Sequence, residues 1–398
     1  MSVAALIFAV QEADDPATEG PQPIVVAGQS VVEYQLRCAH FAGAQHILLL
    51  VERITQRDLA AVDRLAGDAI KVEIVRSAAE ASDHVHPEEL LLIMQPGVVA
   101  EPRLVRELVA NGCPQLLSLS DAQGHEMLER IDATSCWSGI GCVTGALLRE
   151  TAAEIGDWEL CATLLRRALQ SDVPYNNLDL AAAEAPTIAH LTSVQEATVF
   201  NRALIQRTPA VNTGLIDYLL WTPLTNASLP LLLRWQVEPV WFSAALALLG
   251  FLTLAVAVLG SPLLALGLFI LSGFVVIVTR RLRAITLHSA GQLRWIVQAR
   301  VLIGGLALIV LTKHMIDYGF VWAHYVLMIW ILVEMIRISQ FDPWFLGRPN
   351  LPIWRASPET LALILWIALF FQYPTLGFAL CVGWAVVSST VLSRSTIS

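Results

Sequence analysis

The chain has 398 residues, 56% of them hydrophobic, and a formal net charge of −9 at pH 7. Its charges are unevenly distributed: up to Glu238 there are 30 acidic and 15 basic residues, whereas the remainder has four acidic and ten basic residues. The acidic N-terminal part excludes a nucleic-acid-binding protein, because neutralising phosphates requires clustered Lys and Arg on the soluble surface. The composition predicts an acidic soluble domain followed by a basic membrane domain.

The N-terminal part alternates short apolar runs with segments of helical periodicity, as in a doubly wound α/β domain. The predicted strands are rich in Ile, Leu and Val, as strands buried on both faces should be. These strands are Ala4–Val10, His46–Glu52, Ala69–Val75, Glu89–Met94 and Ser138–Val143. The predicted helices are Val31–Phe41, Arg57–Leu65, Glu101–Ala110, Ala146–Ile155 and Leu160–Leu169. We therefore expect an α/β domain over residues 1–195, followed by connector helices over residues 196–238.

Six apolar runs follow the connector. They are Val240–Leu259, Leu263–Thr279, Trp295–Thr312, Gly319–Ile336, Leu361–Tyr373 and Thr375–Leu392. Most approach the roughly 20 residues that a helix needs to cross about 30 Å of hydrocarbon. The pattern predicts an all-α domain of six transmembrane helices over residues 239–398.

The basic residues predict how these helices are oriented. Nine of the ten fall on one side of a six-helix alternation, with Lys313 on the other, and short loops rich in Lys and Arg stay cytoplasmic. The first twenty residues contain Glu12, Asp14 and Asp15 and no basic residue, so we expect no cleavable signal peptide. The six cysteines have no CxxC spacing, which is typical of reduced thiols. We expect a multi-pass protein of a bacterial inner membrane, with the N-terminal domain in the cytoplasm.

One segment of the N-terminal part resembles a known enzyme domain. The run Pro23–Leu36 reads PIVVAGQSVVEYQL, and it is followed by Ala42, Gly43 and the predicted strand His46–Glu52. This order resembles the MobA-like sugar-phosphate nucleotidyltransferases, over roughly residues 3–190. The resemblance implies a nucleotidyltransferase-like fold in which Gly28 forms the turn between strand and helix.

The family's chemistry needs residues that this chain lacks. In the family a Gly-rich loop with an Arg and a Lys cradles the triphosphate, and an Asp after the fourth strand binds Mg²⁺. Here the corresponding loop, Gln11–Gln22, has four acidic residues and no basic one, and would repel a triphosphate. Gln95 or Pro96 stands at the Asp position. The family implies Mg²⁺ as cofactor, yet its ligands are absent, so we expect no cofactor.

The membrane part resembles the CDP-alcohol phosphotransferases, particularly the fusions in which a cytidylyltransferase domain precedes six membrane helices. The segment Arg207–Asn226 is similar to the family's entry into its first helix. The family motif D-x-x-D-G-x-x-A-R, eight residues, then G-x-x-x-D-x-x-x-D supplies four Asp residues for two metals that activate the alcohol. One alignment puts Phe274, Ile277, Trp295 and Ala299 at the Asp positions, and the next register puts Val275, Val278, Ile296 and Arg300 there. Neither register contains an acid, so we expect no metal site.

The basic residues in that region are the remaining site candidates. An anion or lipid-headgroup pocket is predicted from Arg280, Arg281, Arg283, Arg294 and Arg300. The alternative is that these arginines only set topology. His324 and Glu334 are further candidates, because ionisable residues within membrane helices are often functional. The alternative is that both residues, which lie near the ends of the predicted helix, only reach to the membrane interface.

These patterns lead to one functional hypothesis with two alternatives. We expect a membrane protein of the nucleotidyltransferase and CDP-alcohol phosphotransferase type, linked to phospholipid headgroup synthesis and catalytically degenerate. It would act in the phospholipid membrane as a partner or regulatory subunit of an active CDP-alcohol phosphotransferase, or as a homodimer, without nucleic acid. The first alternative is an active transferase with a rearranged site that uses Asp317, His324, Glu334 or Asp342. The second alternative is a membrane sensor of nucleotide or anionic lipid.

Overall fold

The chain divides into two compact units. The computed structural model describes residues 2–9, 24–52, 54–67, 70–120, 128–155, 159–178, 187–208, 214–288, 291–314, 328, 330–331 and 356–395. The first unit comprises Met1–Arg207 with Ile285–His288, and the second comprises Thr208–Ala284 with Ser289–Ser398. The helix after residue 195, assigned above to the connector, therefore clusters with the first unit.

The first unit contains a seven-stranded sheet in the order β10-β8-β9-β6-β1-β4-β5. Its strands are β1 (Val3–Ala9), β4 (His46–Val51), β5 (Val72–Val75), β6 (Leu90–Met94), β8 (Gln115–Ser120), β9 (Ser135–Thr144) and β10 (Tyr175–Leu178). Two small antiparallel pairs accompany it: β2 (Val25–Val26) with β3 (Gln29–Ser30), and β7 (Val98–Ala100) with β11 (Ile188–His190). Within the main sheet, β9 runs antiparallel to β6 and β8, and the other pairings are parallel.

Helices cover both faces of this sheet. They are α1 (Val31–Ala42), α2 (Gln56–Gly67), α3 (Ala78–Asp83), α4 (Pro102–Ala110), α5 (Gly145–Glu154), α6 (Leu160–Gln170) and α7 (Val194–Arg207). Successive side chains of β1 point to opposite faces of the sheet and pack into two buried clusters. Ala5 and Ile7 belong to one cluster, and Ala4, Leu6 and Phe8 belong to the other. A strand buried on both faces reads as a continuous apolar run. The expectation of an α/β domain with a largely parallel sheet is confirmed.

The second unit is helical in its described residues. A π-helical turn over Asp217–Trp221 leads into α8 (Thr222–Arg234), followed by α9 (Pro239–Val258), α10 (Pro262–Ile285), α11 (Gly291–His314), α12 (Pro358–Phe370) and α13 (Pro374–Ser395). Small residues permit close approach: a Cβ on Gly304 would lie 2.5 Å from Phe269 Cε2, and one on Gly377 would lie 2.4 Å from Ala368 Cβ. Within the chain, α11 packs against α9 and α12 against α13.

Two helices among the described residues, α9 and α10, are long and apolar enough to cross a membrane. Shorter apolar stretches occupy Trp295–Val310, Pro358–Phe370 and Pro374–Ser388. The predicted fourth span, Gly319–Ile336, lies almost wholly outside the described residues. These helices give weak support to a membrane protein, and the arrangement of six spans stays a prediction.

Candidate functional site

The C-terminal end of β6 is the first candidate position. Since β1 lies between β4 and β6, the order of the sheet reverses there, and open α/β sheets bind ligands beyond the carboxyl ends of strands at such a point. β6 ends at Met94, which places Gln95 at this edge. An amide therefore stands where the resemblance implies a metal-binding carboxylate.

Neutral hydrogen bonds fix the turn that follows β6. Gln35, which is fully buried on α1, donates from Nε2 to the carbonyl of Gln95 at 2.8 Å and to the carbonyl of Val98 at 2.6 Å. The backbone amide of Gln95 donates to the Gly139 carbonyl at 2.7 Å. A Cβ on Gly139 would lie 2.6 Å from Val98 Cγ2 and 2.9 Å from Gln95 Oε1. Because this turn is tightly packed around an amide, its described residues do not fit Mg²⁺, which takes carboxylate ligands in such sites.

The segment that carries the nucleotidyltransferase resemblance forms a hairpin and a helix start. Ala27 and Gly28 have φ values of 52° and 78°, as a two-residue type I′ turn requires between β2 and β3. Asn201 of α7 holds this turn, since its Oδ1 accepts from the Ala27 amide at 2.8 Å and its Nδ2 donates to the Val25 carbonyl at 3.1 Å. Ser30 then caps α1. Gly28 thus lies in a hairpin turn between two short strands, with α1 beginning directly after the second strand, and not in a direct turn from strand to helix.

Glu33 and Arg37 of α1 form ion pairs within the first unit. Glu33 is buried, and its Oε1 accepts from Arg37 Nη2 at 3.1 Å while its Oε2 accepts from Arg64 Nη2 at 2.7 Å. Ser30 and Glu33 also start the helix, because Ser30 Oγ accepts from the Glu33 amide. This part of the motif therefore has a structural role in the first unit.

The second candidate position is in the helical unit, around Arg300 of α11. Its Nη1 donates to Glu359 Oε1 at 2.7 Å, its Nε to Ser272 Oγ at 2.6 Å, and its Nη2 to the Phe269 carbonyl at 3.1 Å. The guanidinium also lies over the Phe269 ring, 4.4 Å from its centroid. Arg300 and Glu359 are only 4% and 6% exposed, so this is a buried ion pair with its hydrogen bonds well satisfied.

Two arginines of the neighbouring helix α10 are also buried, and both form hydrogen bonds. Arg281 donates from Nη1 to Asn226 Oδ1 and from Nη2 to the Thr208 carbonyl, and Arg283 donates from Nη2 to Ser243 Oγ at 3.1 Å. These contacts join α10 to α8 and α9, so both side chains hold helices together.

The remaining arginine candidates differ in their surroundings. Arg280 is half-buried and close enough to Glu359 for its charge to act on that carboxyl. Arg294 lies in the first turn of α11, and its side chain lies outside the described residues. A role for any of these arginines in binding a lipid headgroup stays a prediction.

Comparison with known protein families finds no family model that matches this chain, and comparison with curated proteins finds no match. Among solved structures, the crystal structure of 4-diphosphocytidyl-2C-methyl-D-erythritol synthase is similar at 15% sequence identity and a TM-score of 0.33. The similarity covers 51% of this chain and 98% of that chain. At this score it adds nothing to what the sheet of the first unit shows.

Three of the positions aligned with the metal-binding acids of the CDP-alcohol phosphotransferase motif hold side chains that make other contacts or are exposed. Phe274 packs its ring 5.4 Å from that of Trp221, Trp295 is 74% exposed, and Arg300 forms the buried ion pair. These side chains offer no oxygen ligand, so they do not fit the family's two metals.

Several sequence candidates lie outside the described residues. They are the loop Gln11–Gln22, Asp317, His324, Glu334 and Asp342. Glu359, in contrast, is a buried acid that sequence reasoning did not select as a site residue. Two signals could have identified it: it is one of four acids after Glu238, and it follows the capping residue Ser357, whose Oγ accepts from the Thr360 amide.

Proposed function

We propose that this chain is a membrane protein of the nucleotidyltransferase and CDP-alcohol phosphotransferase type that has lost its catalytic activity. It would serve phospholipid headgroup synthesis as a partner or regulatory subunit of an active enzyme. The proposal joins the sequence resemblance to the α/β sheet of the first unit and to the apolar helices of the second.

The observation that carries the proposal is the buried Arg300–Glu359 ion pair. In one register of the family motif, Arg300 stands at the fourth metal-binding acid. A fixed guanidinium at that position supplies a permanent positive charge, and Glu359 balances it at 2.7 Å. Four buried carboxylates without their metals would repel one another. A chain with one ion pair and apolar side chains at these positions avoids that repulsion. The arrangement therefore supports the proposal that the helical unit is stable without metal.

The first unit supports the same proposal independently. Gln95 carries an amide at the strand end where the resemblance implies a carboxylate, and Gln35 and Gly139 fix the turn around it. A nucleotidyltransferase needs a divalent cation there to offset the charge of its triphosphate substrate. The described residues thus support loss of function at both positions.

Turnover by the purified full-length chain in lipid is the decisive experiment. The protein would be incubated with CDP-activated alcohols and Mg²⁺ or Mn²⁺, beside an intact CDP-alcohol phosphotransferase under identical conditions. We expect no product above a protein-free control. Robust metal-dependent turnover by this chain alone would contradict the proposal and favour the active transferase with a rearranged site.

The partner role needs a separate test. A tagged chain, extracted gently from its native membrane, is expected to bring down an intact CDP-alcohol phosphotransferase. Recovery as a monomer only would contradict the subunit role, while leaving the absence of turnover to be judged by the first experiment.

A further inference from the structure

Two histidines and a glutamate converge on one side of the first unit, away from Gln95. Glu73 Oε2 lies 3.2 Å from His46 Nε2 and 2.8 Å from His84 Nδ1. One ligand atom from each of the three residues lies within 4.8 Å of the others. We propose that His46, Glu73 and His84 form a metal site for a divalent transition ion, with Zn²⁺ as the ion that fits best.

The fold brings these residues together for simple geometric reasons. Leu48 of β4 pairs with Glu73 of β5, and His46 precedes Leu48 by two residues, so His46 and Glu73 lie on the same face of the sheet. The helix α3 follows β5 directly and ends at its C-cap, His84. Three ligands therefore come from two adjacent strands and the end of the next helix.

The distances suit tetrahedral coordination. Zn²⁺ binds imidazole nitrogen and carboxylate oxygen at about 2.0–2.2 Å, which puts neighbouring ligand atoms of a tetrahedron roughly 3.3 Å apart. The two contacts to Glu73 Oε2, at 2.8 and 3.2 Å, need only a small adjustment to reach that value. Two imidazoles and one carboxylate are also a ligand set that zinc uses in proteins, with water at the fourth position.

The site is accessible to ions and separate from the proposed function. The side chains of His46, Glu73 and His84 are 25%, 48% and 44% exposed, so an ion and its water can enter from solvent. His46 pairs with Ala4 of β1, whereas Met94, which precedes Gln95, pairs with Ile7. The metal site thus lies toward the opposite end of the strands. Its expected effect is to cross-link β4, β5 and α3, and sequence analysis had predicted no metal.

Calorimetric titration of the full-length protein with Zn²⁺ tests this proposal. The protein would be purified in detergent without a polyhistidine tag and freed of metal with a chelator. The variants are His84→Ala and Glu73→Gln, which alter exposed side chains, and the matched control is His40→Ala, an exposed histidine of α1. Circular dichroism would verify that each variant is folded.

We expect one Zn²⁺ per chain with a dissociation constant tighter than about 10 μM. Both site variants should weaken binding at least tenfold, and His40→Ala should not. Zn²⁺ should raise the thermal midpoint of the wild type and of His40→Ala but not of the site variants, because an ion that binds the folded state stabilises it. Absence of wild-type binding, or equal binding by all four proteins, would overturn the proposal and leave a surface hydrogen-bonded cluster.

Discussion

Arg300 and Glu359 are 59 residues apart in the chain, yet their side chains meet at 2.7 Å inside the helical unit. The pair joins α11 to the start of α12, and Ser272 of α10 bonds to the same guanidinium. The contact is therefore shared by three helices of the second unit, α10, α11 and α12.

Removing one partner of this pair should be strongly destabilising. Glu359→Gln leaves the buried Arg300 charge without its carboxylate, and breaking such a pair costs about 3–5 kcal/mol. Replacing both residues by methionine should recover most of this loss, because apolar replacements of buried ion pairs are often neutral or stabilising. Thermal unfolding in detergent measures both effects, with the exposed Glu238→Gln as control. A single variant as stable as the wild type would contradict a role for the pair in holding the helices.

The approach of α10 to α12 gives a second prediction. A Cβ on Gly273 would lie 2.6 Å from Glu359 Cγ and 3.3 Å from Arg300 Nη2. Gly273→Ala should therefore displace the ion pair and lower stability by about 1–3 kcal/mol, as overpacking does. Gly383→Ala is the matched control, since nothing lies within 4 Å of a Cβ there. Equal thermal midpoints for the two variants would show that the helices adjust freely.

The sequence predicted several elements whose periodicity reflects burial, but it missed the buried strand β8. β1, β4 and β6 are continuous apolar runs because both faces of the sheet are covered, and their bounds were predicted within about one residue. β10 was missed because Tyr175–Leu178 is a largely exposed edge strand with the polar sequence YNNL. The antiparallel direction of β9 depends on pairing with β6 and β8, which local periodicity does not encode.

The candidate sites were harder to predict than the fold. The arginines of α10 and α11 were identified from their charge. Nothing in the spacing indicated that Arg281 would contact Asn226 or that Arg300 would contact Glu359. The metal cluster was missed for the same reason, because its three ligands become neighbours only through the β4–β5 register and the end of α3. Contacts between distant residues depend on tertiary packing, which a single sequence does not specify.

His190 should make stability depend on pH. Burial lowers the pKa of His190 below the usual value of about 6.5, although Glu196 and the Pro96 carbonyl act in the opposite direction. The folded state therefore binds fewer protons than the unfolded state. The resulting stability is present above about pH 6.5 and is lost as the pH falls through that value toward the lowered pKa.

Thermal unfolding between pH 5 and 7.5 tests this effect. The wild-type midpoint should fall as the pH is lowered, and His190→Asn, which cannot titrate, should show a smaller decline. His40→Asn is the control, because His40 is an exposed histidine of the same unit. An identical pH profile for His190→Asn and the wild type would rule out His190 as the source.

Replacement of Arg281 and of Arg280 in α10 should have different effects. Arg281→Gln removes bonds to Asn226 and the Thr208 carbonyl, so it should lower the thermal midpoint. Arg280→Gln should instead weaken association with anionic vesicles, by about 1 kcal/mol for one charge near the surface. Vesicle flotation at two salt concentrations measures the second effect. Unchanged flotation of a folded Arg280→Gln variant would favour a role in topology alone.

The full-length protein should not bind CTP with Mg²⁺. Gln95 provides an amide in place of a carboxylate, and the turn that contains it is fixed by Gln35. The loop Gln11–Gln22 adds four negative charges from its sequence, which would repel a triphosphate. Calorimetry with CTP and Mg²⁺ is the measurement, with an intact nucleotidyltransferase as positive control. A dissociation constant tighter than about 100 μM, roughly 5.5 kcal/mol of binding free energy, would contradict the loss of the nucleotide site.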